Sequence, residues 1–176
     1  NIKTLANIVR SQIDIHKEYG GVFPNLAKRE HAKNLPIILK KCLEDANLFK
    51  PGKTEIKNTE DINELTKHVE GFTENTLDLL KNMEAPEIDR IVVTSGPGLE
   101  PALWVGINFA KVLSLVWNKP LIPVNHMEGH ILGSLINSEI GKTQSIDLSS
   151  LQFPALALLI SGGHTELVLI KDWLQY

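Results

Sequence analysis

A chain of 176 residues with 43% hydrophobic and 22% charged residues can bury one substantial core and has the balance of an ordinary globular protein. Its formal charge of -3 and isoelectric point near 6.1 argue against a strongly basic nucleic-acid binder and leave room for a local basic patch or a nucleic acid gripped mainly by a partner. One cysteine, Cys42, excludes an intrachain disulfide, and no apolar run reaches the ~18 residues of a membrane-spanning helix.

Cys42 lies in an amphipathic stretch and reads as a core thiol in a reducing compartment, so a cytoplasmic protein with no membrane partner is expected. The N-terminus has no signal-peptide pattern, and the residues after Asn1 read like the interior of a domain. A fragment of a longer protein is the expectation.

Residues 6–16 alternate, with Ile13 and Ile15 on one face and Gln12, Asp14 and His16 on the other, which predicts a strand. "YGGVFP" is a turn. From about Asn25 to Asn47, Leu26, Leu35, Ile38, Leu39 and Leu43 make a helical stripe that Pro36 should kink or split. A polar loop follows over 49–61, then a second helix from Thr59 to about Asn82. A buried strand, Ile91 to Thr94, runs into the turn Ser95-Gly96-Pro97-Gly98. The mostly apolar 101–117 is a helix with Pro101 in its first turn, where proline is tolerated. It reads as a core helix, with a pairing face as the alternative. "KPLIPVN" is a short strand, His126 to Asn137 a short helix, and 138–150 a Ser-rich connector. Residues 154–170 are strand, Ser-Gly-Gly turn, strand: a hairpin. Alternating strands and helices predict an α/β layered fold.

Four places could carry chemistry. His126 and His130 are four apart; on a helix they share a face, with Cβ atoms ~5–6 Å apart, and two imidazoles so placed can ligate one zinc or iron ion. The bland alternative is a pair of polar-face histidines. A zinc-protease helix needs its glutamate directly after the first histidine, whereas here it is Glu128, one place off. A mononuclear site needs a third ligand, for which His164 is a local candidate. Ser95 to Gly98 could receive an anion at a helix start or be only a tight connection. Ser161-Gly162-Gly163-His164-Thr165 could let a ligand approach the backbone or be a plain hairpin turn. Arg29, Glu30 and His31, with Lys28, Lys33, Lys40 and Lys41 nearby, read as a solvated helix face, with a partner or RNA contact as the alternative.

Taken in series, "SQIDIHKEYGGVFPNLAKREH", "SGPGLEPALWVGINFAKVLS", "IPVNHMEGHILGSL" and "FPALALLISGGHTELVLI" resemble the TsaD/Kae/Qri-type family of tRNA N6-adenosine threonylcarbamoyltransferases, once called glycoproteases or O-sialoglycoprotein endopeptidases. The match runs over nearly the whole chain. The resemblance implies an ASKHA (actin/Hsp70/sugar kinase-like) fold of two lobes, incomplete here at both ends. Residues 1–152 would be the N-terminal lobe without its first strand hairpin, and 153–176 the start of the second. It implies transfer of a threonylcarbamoyl group from threonylcarbamoyl-adenylate to N6 of the adenosine beside the anticodon of ANN-decoding tRNAs. His126 and His130 would hold one divalent metal, iron or zinc, and Leu159, Ile160, Ser161, Gly162 and Gly163 would line the substrate. No catalytic residue is assigned. Implied partners are tRNA, a non-catalytic paralogue and an ATPase or kinase-type subunit. This chain alone is expected to be inactive; the alternatives are a non-catalytic scaffold paralogue and, least, a metalloprotease. The chain departs from the family in lacking the opening Glu-Thr-Ser-Cys-Asp-type motif and the aspartate that completes the metal site. It also has a longer polar stretch over 50–70, and Pro101 where the family has a small residue.

Overall fold

The structure is a computed structural model that describes residues 2–137, 145–146, 152–161, 164–173 and 175–176. In chain order the elements are β1 (Ile2–Lys3), α1 (Ile13–Lys17), α2 (Pro24–Asp45), α3 (Thr59–Thr66), α4 (Phe72–Lys81), β2 (Ile91–Gly96), α5 (Glu100–Trp117), β3 (Leu121–Asn125), α6 (His126–Gly133), β4 (Ile136–Asn137), β5 (Ser145–Ile146), β6 (Ala155–Ser161) and β7 (His164–Ile170). They form two compact units, one of Ala6–Val124 and one of Asn1–Leu5 with Asn125–Tyr176.

The larger unit is built around α5. Its apolar run buries Val105, Phe109, Val112, Leu113 and Trp117, the spacing of one helix face, against α2, α3 and β2. The helix is therefore core, as its composition predicts. Ile62 from α3 and Phe72 and Leu80 from α4 complete the interior at 1% exposure or less, and the Phe72 and Phe109 rings meet at 6.0 Å between centroids. Each such side chain contributes about 1.5–3 kcal/mol on burial, so Phe72→Ala would cost roughly 3–5 kcal/mol. Two helices end on asparagines that take the left-handed conformation in place of glycine. Asn47 (φ 58°) closes α2, with the Leu48 N–H on the Leu43 carbonyl at 2.8 Å and the Asn47 N–H on Glu44 at 3.0 Å. Asn118 (φ 51°) closes α5, and the Lys119 N–H reaches the Ser114 carbonyl at 3.2 Å. Beyond that cap, β3 returns beside β2. The Ile91 N–H donates to the Pro120 carbonyl and the Ser95 hydroxyl to the Val124 carbonyl. Both strands advance together, so β2–α5–β3 is a parallel crossover unit.

The smaller unit contains the predicted hairpin. β6 and β7 pair antiparallel from Ala155↔Ile170 to Ser161↔His164. One face turns Leu159 and Ile170 inward, while Leu156, Leu158, Ile160, Leu167 and Leu169 are exposed on the other. Helix α6 packs against β6, and β1, β5 and β4 form a small antiparallel sheet in that order. Most of the Ser-rich connector lies outside the described residues. Among the described residues no helix is long and apolar enough to cross a membrane.

Mixed helix and strand is thus the observed class, with three local corrections. Residues 6–16 form no strand: 6–12 are irregular and α1 covers Ile13–Lys17. No neighbouring strand pairs with the alternating run. Ile13 and Ile15 stay exposed, and it is His16 that is buried, 7% exposed. Helix α2 is continuous through Pro36, so the proline does not split it, and its ring is buried. The single helix predicted over 59–82 is two, α3 and α4, divided where Gly71 takes φ 73°. Helix α6 stops at Gly133 rather than Asn137, and Ile136–Asn137 joins β5 as a strand.

Candidate metal centre

The paired histidines owe their position to the switch from β3 to α6. Asn125 is still extended (φ -78°, ψ 132°), and its Oδ1 accepts the Met127 N–H at 2.8 Å and the Glu128 N–H at 3.4 Å. That satisfies two of the four donors a helix start leaves open, so the helix begins at His126. His126 and His130 then sit one turn apart on one exposed face, their rings stacked with centroids 4.6 Å apart and an interplanar angle of 27°. A Cβ added at Gly129 or Gly133 would meet no atom within 4 Å, so the surface around the pair is open.

The donor set suits a borderline metal: two imidazoles on one helix face are the ligand type that zinc or iron takes, at ~2.0–2.1 Å from each nitrogen. It is incomplete by itself, because among the described residues no group of three or more His, Cys, Asp or Glu side chains is gathered for a metal. Glu128 belongs to another contact. Tyr176 lies near it: burial first, then the Glu128 carboxylate, pushes the Tyr176 phenol above its ordinary range.

The strand expected to line the substrate is β6, in the same unit. Leu159 is buried and its side chain serves the fold, so any contact it makes with a ligand runs through its backbone; Ile160 is exposed. The side chains of Ser161 and His164, and Gly162 and Gly163 altogether, lie outside the described residues.

The turn after β2 fits an anion poorly. Gly96 and Gly98 take φ 147° and 159°, and a Cβ on Gly98 would meet Leu103 at 3.4 Å, so the glycines serve the connection. The helix start is already occupied by Glu100, whose carboxylate accepts the Trp104 indole N–H at 3.4 Å. Pro101 falls in that first turn, where a missing N–H costs nothing. On α2, Lys40 and Lys41 pair with Glu44 and Asp45 across one turn, as a solvated face does. His31 differs. It joins Gln12 and His16 in a hydrogen-bonded cluster that the strand reading of 6–16 hid; Gln12 and His16 are i and i+4, a signal legible only with a helical period.

The geometry therefore defines an α/β protein that presents a His-x-x-x-His helix beside a glycine-linked hairpin. Comparison with known proteins names the family. The model described as TsaD, tRNA N6-adenosine threonylcarbamoyltransferase, matches residues 3–56 and 64–176. Relatives carrying the name tRNA N6-adenosine threonylcarbamoyltransferase include those of Thermomicrobium roseum (39% identical over 172 residues, 98% of this chain and 36% of the relative) and Persephonella marina (40% over 172 residues, 98% and 37%). That of Thermosipho africanus is 40% identical over 170 residues, 97% of this chain and 38% of the relative. The chain belongs to the tRNA N6-adenosine threonylcarbamoyltransferase family. It spans a little over a third of the length of these relatives, 36–38%.

Proposed function

We propose that this chain supplies two metal ligands and a substrate-lining strand to a tRNA N6-adenosine threonylcarbamoyltransferase. The observation that carries the reading is the packing of α6, with its stacked His126 and His130, against β6 in one compact unit. The full enzyme moves a threonylcarbamoyl group from threonylcarbamoyl-adenylate to N6 of the adenosine next to the anticodon. The adenosine N6 bonds to the carbonyl carbon and gives up one proton to solvent, the carbonyl–phosphate anhydride bond breaks, and adenylate leaves with the electron pair. A bound iron or zinc ion would supply Lewis acidity and a template for the acyl donor.

The chain's own part is positional. Asn125 sets the helix start, and α6 holds the imidazoles on one face. On β6, the extended backbone of Leu159, Ile160 and Ser161 would run along the donor, with Gly162 and Gly163 following in sequence. In this reading residues 1–152 belong to the N-terminal ASKHA lobe and 153–176 open the second, the remaining ligand being His164 or a carboxylate beyond these 176 residues. The partners are tRNA, a non-catalytic paralogue and an ATPase or kinase-type subunit, in the cytoplasm. A zinc-protease mechanism gains no support, since Glu128 lies one place away from the position next to the first histidine that such a mechanism needs.

The test is metal binding by the 176-residue chain, read by competition with a chromophoric chelator and by cobalt absorption. The expected result is weak binding that either His126→Ala or His130→Ala abolishes. A tight stoichiometric site that survives both substitutions would overturn the assignment.

A further inference from the structure

The larger unit contains a cavity of about 630 Å³, within the usual range for small-molecule sites, that the reading above does not use. Its lining is mainly apolar, with Ile13, Val22, Leu99 and Ala102 among it. Its ionisable members are Arg10, His16, Lys17 and His31, with no carboxylate in the lining. Lys17 is tied to exposed Asp14 at 2.5 Å, whereas Arg10 makes no ion pair among the described residues.

The histidines are set by one backbone group. The Phe23 N–H lies 3.3 Å from His16 Nδ1, so that nitrogen must accept and His16 carries its proton on Nε2. His16 Nε2–H then faces Gln12 Oε1 at 3.4 Å, which turns the Gln12 amide NH₂ to His31 Nδ1 at 3.3 Å. His31 Nδ1 therefore accepts, and Nε2–H remains as its donor. Each link follows from the one before, and protonating Nδ1 of either ring would set donor against donor. The consequence is a neutral His31 with Nε2–H as its donor, in the same cavity lining as Arg10, a guanidinium that makes no ion pair among the described residues. We propose that this cavity binds a small organic anion, a phosphate or carboxylate held by Arg10 and His31 Nε2–H with an aromatic or branched apolar body against Ile13, Val22 and Leu99. The site shares no residue with the proposed metal centre and stands or falls independently of it.

The experiment is an amide-shift NMR titration of the ¹⁵N-labelled 176-residue chain with phenyl phosphate and with benzoate, using inorganic phosphate and benzyl alcohol as the separate halves. At least one of the two aryl anions is expected to shift amides within 10–31 and 99–102 and to bind about tenfold or more tightly than either half; the tighter one identifies the headgroup. Arg10 is exposed, so Arg10→Ala should fold normally and weaken that binding about tenfold or more. The ¹⁵N shifts of His31 should show Nδ1 bare and Nε2 protonated. Shifts that map elsewhere, binding untouched by Arg10→Ala, no binding of either anion, or the opposite His31 tautomer would each overturn the proposal. Repeating the titration on His126→Ala keeps this outcome separate from that of the metal site.

Discussion

His126 and His130 stack one helical turn apart, with centroids 4.6 Å from each other, on a helix that starts where it does because Asn125 caps it. A metal-binding pair needs both imidazoles on one rigid face, and the first of them occupies the first helical position, the place most prone to fray. The Asn125 carbonyl oxygen is thus a positioning group for His126.

Asn125→Ala should cost about 1 kcal/mol of stability and weaken the chain's affinity for zinc or cobalt, because the turn that carries His126 loses its acceptor. Asn125→Asp retains a good cap and should preserve both properties. Thermal melts and a metal titration on the three proteins decide it. An Asn125→Ala chain with unchanged melting and unchanged affinity would remove the cap from the account of the site.

Much of this was legible in the sequence, for reasons visible in particular residues. The α5 stripe from Val105 to Trp117 is apolar enough that burial leaves one solution, and the two-residue glycine link between β6 and β7 predicts the observed register. The His126–His130 pair was legible from spacing. What failed was period and punctuation. Ile13 and Ile15 alternate like a strand, but a strand forms only with a partner, and a five-residue helix anchored by buried His16 forms instead. Gly71 sits inside an otherwise helical pattern, and nothing local announces that it will turn left-handed. The Gln12–His16–His31 cluster joins residues 19 apart in sequence, a tertiary contact that no local periodicity encodes.

Gly71 gives a sharp test of that punctuation. Its φ of 73° is one that L side chains adopt at a cost, while an added Cβ would lie 3.6 Å from Asn75 Nδ2, an ordinary contact. Gly71→Ala should therefore destabilise by about 1–2 kcal/mol through the backbone alone. Gly71→Asn should cost less, as Asn47 and Asn118 already tolerate the same conformation. Equal melting temperatures for the two variants would contradict a backbone origin.

Thr76 is fully buried on α4, and its hydroxyl has no hydrogen-bond partner. Valine has nearly the same shape without the hydroxyl. Thr76→Val should stabilise the chain by about 1–3 kcal/mol, the desolvation cost of an unsatisfied group, and raise the melting temperature by roughly 2–4 °C per kcal/mol. A destabilised variant would mean that the hydroxyl is satisfied in solution.

His31 makes stability depend on pH in a predictable direction. Burial first, and then the neighbouring His16, hold its pKa below the ordinary value of 6.5. The unfolded chain therefore takes up this proton at a higher pH than the folded chain. Between the two pKa values the unfolded state holds more protons, so stability falls as pH is lowered. The contribution is intact above pH 6.5, declines as pH drops below it, and is gone once the folded-state pKa is passed. Melts from pH 7.5 to 5 should show this decline in the wild type and a flatter profile in His31→Gln, which keeps a polar group at the site but cannot titrate. Parallel profiles for the two proteins would assign the acid sensitivity to other groups.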